Sequence, residues 1–267
     1  MTRIYGIVAD LADSDLASKL DALRTASDHE GFVERDSWQQ GAAALGHLGL
    51  GAFEAPPQPV RAADGTWTAV GCGKIFDSAS TRAELKRNGV ELPSNAGDVE
   101  LLAQGLRMDG PAALANVNGA FALAVWDEPE QSLTFATDRF GLRGLYYRHV
   151  GELSALAFSS DLRGVIAADL APPAPDWDAL SVLLQVRYHV GEDTSFAGVK
   201  AMPPASVLRF ADNAVRVERY WDTAEIAIGE GMSYHQAVEG CIDRFAEAIR
   251  RRDVPVRGRT IVFLSGG

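Results

Sequence analysis

The last eight residues carry the pattern with the clearest chemical meaning. The run Thr-Ile-Val-Phe-Leu over residues 260–264 is apolar and β-branched, which is typical of a buried strand. Ser265, Gly266 and Gly267 follow it directly. Because glycine tolerates positive φ and lets the backbone approach an anion closely, this strand and turn together predict a phosphate-binding loop. The motif is short, and a strand followed by a flexible glycine tail fits it as well.

The two cysteines and two of the histidines are the other candidates for reactive chemistry. Cys72 lies between glycines in an apolar segment, which favours a buried structural thiol over a relocated nucleophile. Cys241 falls on the apolar side of a helix predicted for residues 233–251, so we expect it in the core. His47 and His149 have no acidic or thiol partner at a recognisable spacing, and we interpret both as ordinary polar residues. No metal site is predicted.

Composition and charge exclude several classes of function. The chain is 47% hydrophobic and 23% charged, as in ordinary globular proteins, and its net charge is -11. Such acidity argues against binding to nucleic acid, because a polyanion requires a basic surface. No apolar run approaches the roughly 20 residues of a membrane span, and the chain does not open with a signal peptide. We therefore expect a cytoplasmic protein with no nucleic-acid or membrane partner.

The hydrophobic pattern predicts strands and hairpins first, then a change of character. Predicted strands cover residues 4–9, 43–53, 66–76, 120–126, 133–137, 145–147, 155–159, 207–210 and 214–221. Predicted helices cover residues 13–24, 78–88, 98–108, 177–184 and 233–251, with Ser78 or Ser80 as the cap of the second. This order predicts an α+β domain over residues 1–225, a boundary near residues 222–232, and the start of an α/β domain over residues 230–267.

Several segments together resemble the asparagine synthetases. The most specific is Asp-Arg-Phe-Gly-Leu-Arg-Gly-Leu-Tyr-Tyr over residues 138–147. The others are Asn-Gly-Ala-Phe-Ala at 118–122, Phe-Ala-Gly-Val at 196–199, Met-Pro-Pro at 202–204, Arg-Tyr-Trp at 219–221 and Val-Phe-Leu-Ser-Gly-Gly at 262–267. Their order along nearly the whole chain makes the set far more specific than any single segment.

The resemblance implies a fold and a two-step chemistry. Residues 1–225 should form a class II glutamine amidotransferase domain, an N-terminal-nucleophile (Ntn) hydrolase sandwich with four layers in the order α/β/β/α. Residues 230–267 should begin a synthetase domain that uses ATP and Mg²⁺ to adenylate a carboxylate, and Ser265, Gly266 and Gly267 would then bind pyrophosphate. Within residues 138–147, we expect Phe140, Tyr146 and Tyr147 in the core.

The nucleophile that the resemblance requires is missing. In active glutaminases of this family an N-terminal cysteine precedes Gly-Ile, and its own α-amino group serves as the base. Here Tyr5 precedes Gly6-Ile7, and four residues stand ahead of it. A phenol is a poor nucleophile near neutral pH, and a peptide nitrogen is not a base. Thr2 could become N-terminal, but it lies about 10 Å upstream in an extended strand. We therefore predict no catalytic residue for glutamine hydrolysis.

The glutamine pocket that the resemblance implies is also eroded. Gly49 stands where an arginine would bind the substrate carboxylate, and Cys72 stands where an asparagine would help to form the oxyanion hole. Gly73 and Asp98, which would bind the oxyanion and the substrate ammonium, are retained. We also expect Asp138 and Arg139 to form an ion pair that holds their turn.

Three functions remain open. The first is the N-terminal part of an ATP-dependent amide-forming synthetase that does not hydrolyse glutamine, as in β-lactam synthetases and lasso-peptide cyclases. Its partners would be its own downstream synthetase domain and a peptide or small carboxylate substrate, with a homodimer as a further option. The second is an asparagine synthetase that uses free ammonia or glutamine. The third is a non-catalytic binding module.

Overall fold

The computed structural model describes residues 2–29, 31–51, 56–90, 92–226 and 231–252. The chain divides into two compact units, Met1–Asp222 and Thr223–Gly267. The strand predicted for residues 260–264 and the turn at Ser265, Gly266 and Gly267 lie outside the described residues. The predicted phosphate loop therefore stays a prediction.

The first unit contains two antiparallel sheets. Its strands are β1 (Arg3–Val8), β2 (Glu34–Gln40), β3 (Ala43–Gly49), β4 (Val60–Arg61), β5 (Trp67–Ile75), β6 (Gly119–Asp127), β7 (Ser132–Thr137), β8 (Tyr146–Val150), β9 (Ala155–Ser159), β10 (Val199–Ala201), β11 (Ser206–Ala211) and β12 (Ala214–Arg219). One sheet has the order β10-β8-β9-β1-β3-β2, and the other has the order β12-β11-β7-β6-β5-β4. We call them sheet 1 and sheet 2.

The helices described in this unit include those that cover the outer faces of the two sheets. The described helices are α1 (Asp13–Ser27), α2 (Ser78–Arg87), α3 (Asp98–Asp109), α4 (Leu162–Ala167) and α5 (Trp177–Val186). Leu16, Leu20 and Leu23 of α1 pack on the outer face of sheet 1. Leu101 and Leu102 of α3 pack on the outer face of sheet 2. This arrangement gives the predicted α/β/β/α order of layers.

The innermost layer is formed where the two sheets face each other. Alternation along each strand sends every second side chain to this face, because the side-chain period of a strand is two. Ile4 and Val8 of β1 meet Cys72 of β5 and Trp126 of β6 in this core. Along β6 and β7, apolar residues are buried on both faces, as the continuous apolar run at residues 120–126 predicted.

One local prediction was wrong, and strand β2 was missed. The helix predicted for residues 78–88 is capped by Asp77, whose carboxylate accepts a hydrogen bond from the Ser80 amide at 3.3 Å, and not by Ser78 or Ser80. Strand β2 was not predicted, because its residues are mostly polar and exposed and show no clear alternation. It forms nonetheless because each of its residues pairs with one of β3.

Helix α6 (Tyr234–Arg252) makes up most of the described part of the second unit. Its apolar side is exposed along its length, with Phe245 at 68% and Ile242 at 62%. Cys241 is exposed as well, so the prediction that it lies in a core is wrong for the described residues. No described residue covers the apolar side of this helix.

Candidate functional site

Position 5 lies inside a paired strand and not at its start. Strand β1 begins at Arg3, and Arg3, Ile4 and Tyr5 pair with residues 48, 47 and 46 of β3. The Ile4 amide donates to the Ser160 hydroxyl at 3.0 Å, and the Ser160 amide donates to the Ile4 carbonyl at 2.9 Å. The nitrogen of Tyr5 is therefore a peptide nitrogen within a continuous ladder, where no free α-amino base can exist.

The Tyr5 side chain points away from the space between the sheets. It belongs to the core between sheet 1 and α1, together with Leu16 and Leu23. Its ring fills the space above Gly46, where a Cβ atom would overlap it. The hydroxyl is buried with no hydrogen-bond partner, and burial raises the pKa of Tyr5 well above its usual value. A phenol so placed is neither ionised nor accessible to a substrate.

On the opposite side of β1, the chain fills the space between the sheets with its own side chains. Ile4 is fully buried there, in the same core as Cys72 and Leu145. Gly6 leaves room for the Phe158 ring, which would lie 2.8 Å or less from an added Cβ. The residues ahead of Tyr5 thus extend the sheet and complete the core, which an N-terminal cysteine would not do.

Cys72 is a buried thiol whose ionisation is unfavourable. Burial raises its pKa to about 11, although the charges of Arg143 and Arg3 oppose this shift. Since the thiolate is the nucleophilic form, the thiol is unreactive near neutral pH. The geometry supports the interpretation of Cys72 as structural over that of a relocated nucleophile.

Gly73 is required by the sheet itself. Its φ is +106°, and a Cβ there would overlap the Ala120 carbonyl oxygen and lie 2.8 Å from the Phe121 Cα atom. Few residues other than glycine adopt this φ, and none has space for a side chain here. The retention of Gly73 therefore follows from strand pairing and does not by itself indicate a working oxyanion hole.

A lysine of the chain itself lies beside the Asp98 carboxylate. Its Oδ2 atom accepts the Ile75 amide at 2.9 Å, which fixes the carboxylate at the end of β5. The Lys74 ammonium lies 3.7 Å from the same oxygen. In the position where the resemblance places a substrate ammonium, the chain supplies a lysine. The sequence shows that a lysine stands at position 74, but only the fold shows that its ammonium lies beside Asp98.

The space at Gly49 is occupied by an acidic side chain. The Glu34 carboxylate of β2 lies where a Cβ of residue 49 would be, and the His47 Cε1 atom would be 2.9 Å from that Cβ. A negative charge thus replaces the guanidinium that a substrate carboxylate would need. His47 is buried, its Nε2 atom has no partner, and burial lowers its pKa to about 4. Sequence reasoning missed Glu34 because β2 itself was not predicted.

The turn that follows β7 is organised by the Asp138 carboxylate. This buried group accepts backbone amides of Phe121 and Phe140 at 3.0 Å and of Leu142 at 3.2 Å. Arg139 donates instead to the Ala115 carbonyl, at 3.1 Å from Nε. The predicted ion pair between Asp138 and Arg139 is therefore wrong, because backbone amides take up the carboxylate.

The predicted aromatic cluster in this segment is only partly buried. Tyr147 is buried, Tyr146 is half-buried, and Phe140 is 63% exposed with its ring edge-on to Trp221 at 5.4 Å. The amide-bonded turn holds Phe140 outward, so its assignment to the core was wrong. His149 contacts the Asn213 side chain at 2.9 Å, which fits an ordinary polar residue.

Two further features are absent from the described residues. Among them, no three or more His, Cys, Asp or Glu side chains are placed to bind a metal ion. None of the helices in this part of the chain has the length and apolar character needed to cross a bilayer.

The sequence of the chain matches a known protein family. Residues 1–221 match the family described as glutamine amidotransferase domain. Asparagine synthetase [glutamine-hydrolyzing] 3 of Bacillus subtilis is 26% identical over 256 residues, which cover 93% of this chain and 40% of that protein. Amidase chry2 of Gibberella zeae is 28% identical over an alignment of 269 positions, which covers 96% of this chain and 38% of that protein. The chain thus spans about 40% of the length of these curated relatives.

A solved structure supports the fold. Glutamine phosphoribosylpyrophosphate amidotransferase from B. subtilis matches with a TM-score of 0.54 and 16% identity, over 82% of this chain and 49% of that one. At this identity the likeness concerns the fold alone, and it confirms the predicted Ntn-hydrolase sandwich. The chain therefore belongs to the glutamine amidotransferase domain family, and asparagine synthetases are among its relatives.

Proposed function

We propose that this chain is the N-terminal part of an ATP-dependent amide-forming synthetase whose glutaminase-like domain does not hydrolyse glutamine. The observation that carries the proposal is the state of position 5. Tyr5 lies two residues inside β1, its nitrogen is in a peptide bond, and its hydroxyl is buried on the helix side of sheet 1. Both the nucleophile and the base of glutamine hydrolysis are absent at that position.

The other positions that the resemblance assigns to glutamine binding support the same conclusion. Glutamine is recognised as a zwitterion, which needs a cation for its carboxylate and an anion for its ammonium. Here Glu34 lies over Gly49, and Lys74 lies 3.7 Å from Asp98. The substrate carboxylate would therefore meet a negative charge at Gly49. The substrate ammonium would meet an aspartate that already has a lysine beside it.

The nitrogen for the amide would then come from an amine on the substrate itself. In this scheme ATP and Mg²⁺ activate a carboxylate as its adenylate, pyrophosphate leaves, and the amine attacks, as in β-lactam synthetases or lasso-peptide cyclases. Ser265, Gly266 and Gly267 are the residues of this chain proposed to bind the pyrophosphate. The glutaminase-like domain would serve as a scaffold for the synthetase domain.

A glutaminase assay on the full-length protein tests the proposal. Glutamate release from glutamine should not exceed the buffer background, with or without ATP, while the B. subtilis asparagine synthetase named above serves as the positive control. Exchange of labelled pyrophosphate into ATP, dependent on an added carboxylate, should detect the adenylation step. Robust glutamate release would overturn the proposal.

A second candidate is an asparagine synthetase that uses free ammonia, which the similarity to three B. subtilis asparagine synthetases favours. It predicts asparagine and AMP from aspartate, ATP and ammonium, and none from glutamine in place of ammonium. Absence of turnover with aspartate and ammonium would exclude this second candidate.

A further inference from the structure

Strand β12 is an outer strand of sheet 2, and among the described residues its backbone is paired on one side only. It pairs with β11 through all six of its residues. The turn between the two strands has two residues, 212 and 213, with φ of +50° and +57°. Because bonded and non-bonded pairs alternate from such a turn, the even-numbered residues of β12 exchange hydrogen bonds with β11. The Tyr220 amide, which donates to the Ala205 carbonyl at 2.8 Å, continues the same alternation.

The odd-numbered residues of β12 therefore present their backbone groups to the free edge. They are Val215, Val217 and Arg219, and no other strand of the described ranges lies against them. The strand contains no proline, and its register with β11 is unbroken. Since proline and bulges are two of the devices that keep an edge from pairing, the backbone of β12 is able to accept a further strand.

Two charges of opposite sign lie on either side of the middle of this edge. Arg216 and Glu218 are exposed, and neither forms an ion pair with a described residue. Across the hairpin Arg216 lies opposite Arg209, whose guanidinium binds the Glu130 carboxylate at 2.6 Å. Because side chains alternate along a strand, Arg216 and Glu218 share the outer face of sheet 2. Val217 lies between them on the other face and is 44% exposed.

A second copy of the strand complements this edge when the two copies run antiparallel about an axis at Val217. Arg216 of each copy then lies opposite Glu218 of the other, in a non-hydrogen-bonded pair, where side chains approach most closely. The backbone groups of Val215 and Arg219 bond to each other across the axis. An axis one residue to either side would set Arg216 against Arg216 or Glu218 against Glu218. The charges therefore favour a single register, which is that of a two-fold symmetric dimer.

The other outer strands of the two sheets do not have this property. Strands β4 and β10 contain only two and three residues. Strand β2 contains seven, but its acidic residues Glu34 and Asp36 are at even positions and its basic residue Arg35 is at an odd one. Regular antiparallel pairing of two copies sets even positions against even ones, so no register of β2 brings unlike charges together. Among the outer strands that the structure describes, only β12 is complementary to itself in charge.

We propose that two copies of this protein associate through β12, so that sheet 2 of one copy continues into sheet 2 of the other. The partner is a second copy because the charges of the edge match those of the same strand turned about the axis at Val217. A single pair of strands is a small interface, so the dimer should be weak and should depend on protein concentration. The inference is independent of the proposed function, since none of these residues takes part in glutamine binding or hydrolysis.

Sedimentation velocity of the full-length protein, over about a hundredfold range of concentration, tests the assignment. The dimer fraction of the wild type should rise with concentration. Val217→Pro removes an amide that points to the free edge, a position where a strand tolerates proline, and should weaken dimerisation about tenfold or more while circular dichroism stays unchanged. A wild type that stays monomeric throughout would overturn the proposal, and so would a dimer that a folded Val217→Pro variant leaves intact.

Charge reversal provides a second arm that does not depend on proline. Arg216→Glu and Glu218→Arg should each be monomeric where the wild type is dimeric, because each sets like charges opposite each other. An equal mixture of the two variants should form a mixed dimer, since one carries two acidic residues at these positions and the other carries two basic ones. The double variant with both changes should dimerise as the wild type does.

Lys86→Glu is the matched control for these variants. Lys86 is exposed on α2, and its substitution changes the net charge by the same amount as Arg216→Glu. It should leave the dimer fraction unchanged. A mixture of Arg216→Glu and Glu218→Arg that stays monomeric would overturn the proposal, and so would a loss of dimer in Lys86→Glu equal to that in Arg216→Glu. Because no readout involves glutamine, failure here would leave the absence of glutaminase activity untouched.

Discussion

Replacement of Tyr5 by phenylalanine should stabilise the protein. The Tyr5 hydroxyl is buried without a hydrogen-bond partner, so folding removes it from water with no compensating bond. Such an unsatisfied polar group costs about 1–3 kcal/mol. The ring keeps its contacts with the core between sheet 1 and α1, so Tyr5→Phe removes the penalty and opens no cavity. We expect the free energy of unfolding to rise by about 1–2 kcal/mol.

Tyr220 supplies the matched control. Its hydroxyl donates to the Thr137 carbonyl at 2.6 Å, so Tyr220→Phe loses a hydrogen bond and leaves that carbonyl without it. Removal of a hydrogen bond of this kind costs about 0.5–1.5 kcal/mol. Burial raises the pKa of both tyrosines, so both hydroxyls stay protonated at neutral pH. The two variants delete the same atom and should move stability in opposite directions.

Equilibrium unfolding in urea, followed by fluorescence and circular dichroism, measures both changes. The two variants should differ by about 2 kcal/mol, which corresponds to a difference in Tm of roughly 4–8 °C for a domain of this size. A Tyr5→Phe variant that is destabilised by more than 0.5 kcal/mol would refute the account, since it would mean that the hydroxyl has a partner.

Three further predictions concern the same region. Gly73→Ala should destabilise the first unit by about 2–5 kcal/mol, because overpacking adds to backbone strain at φ +106°, and urea unfolding beside Gly71→Ala as a milder packing control measures it. Burial lowers the pKa of His47 from 6.5 to about 4, so between these pH values only the unfolded chain binds that proton, and the wild type loses about 3 kcal/mol of stability as the pH falls through this range. His47→Gln should abolish this loss in urea unfolding measured at a series of pH values. Parallel pH dependences of the wild type and the variant would contradict this. A variant that lacks residues 1–4 and carries Tyr5→Cys should still release no glutamate, because Glu34 remains over Gly49 and Lys74 remains beside Asp98. Release comparable to that of an active relative would show that position 5 was the sole defect.

Most of the first unit was predictable because its signals are local. The apolar run at residues 120–126 and its return at 133–137 predicted a hairpin that the structure confirms as β6 and β7. The ordered motifs predicted the Ntn-hydrolase sandwich, which the solved structure supports. Strand β2 was missed because its polar sequence acquires strand conformation only through pairing with β3. Cys241 was misplaced because periodicity shows which side of a helix is apolar and not whether anything covers it.

Residue identity alone establishes that Tyr5, and not a cysteine, precedes Gly6-Ile7, and that position 49 holds glycine in place of arginine. The tertiary structure alone decided that the Tyr5 hydroxyl lies on the helix side of sheet 1, that Lys74 lies beside Asp98, and that Glu34 covers Gly49. Each of these depends on the register between segments distant in sequence. A one-residue shift of register would reverse the face of every side chain in a strand, and no local pattern encodes that choice.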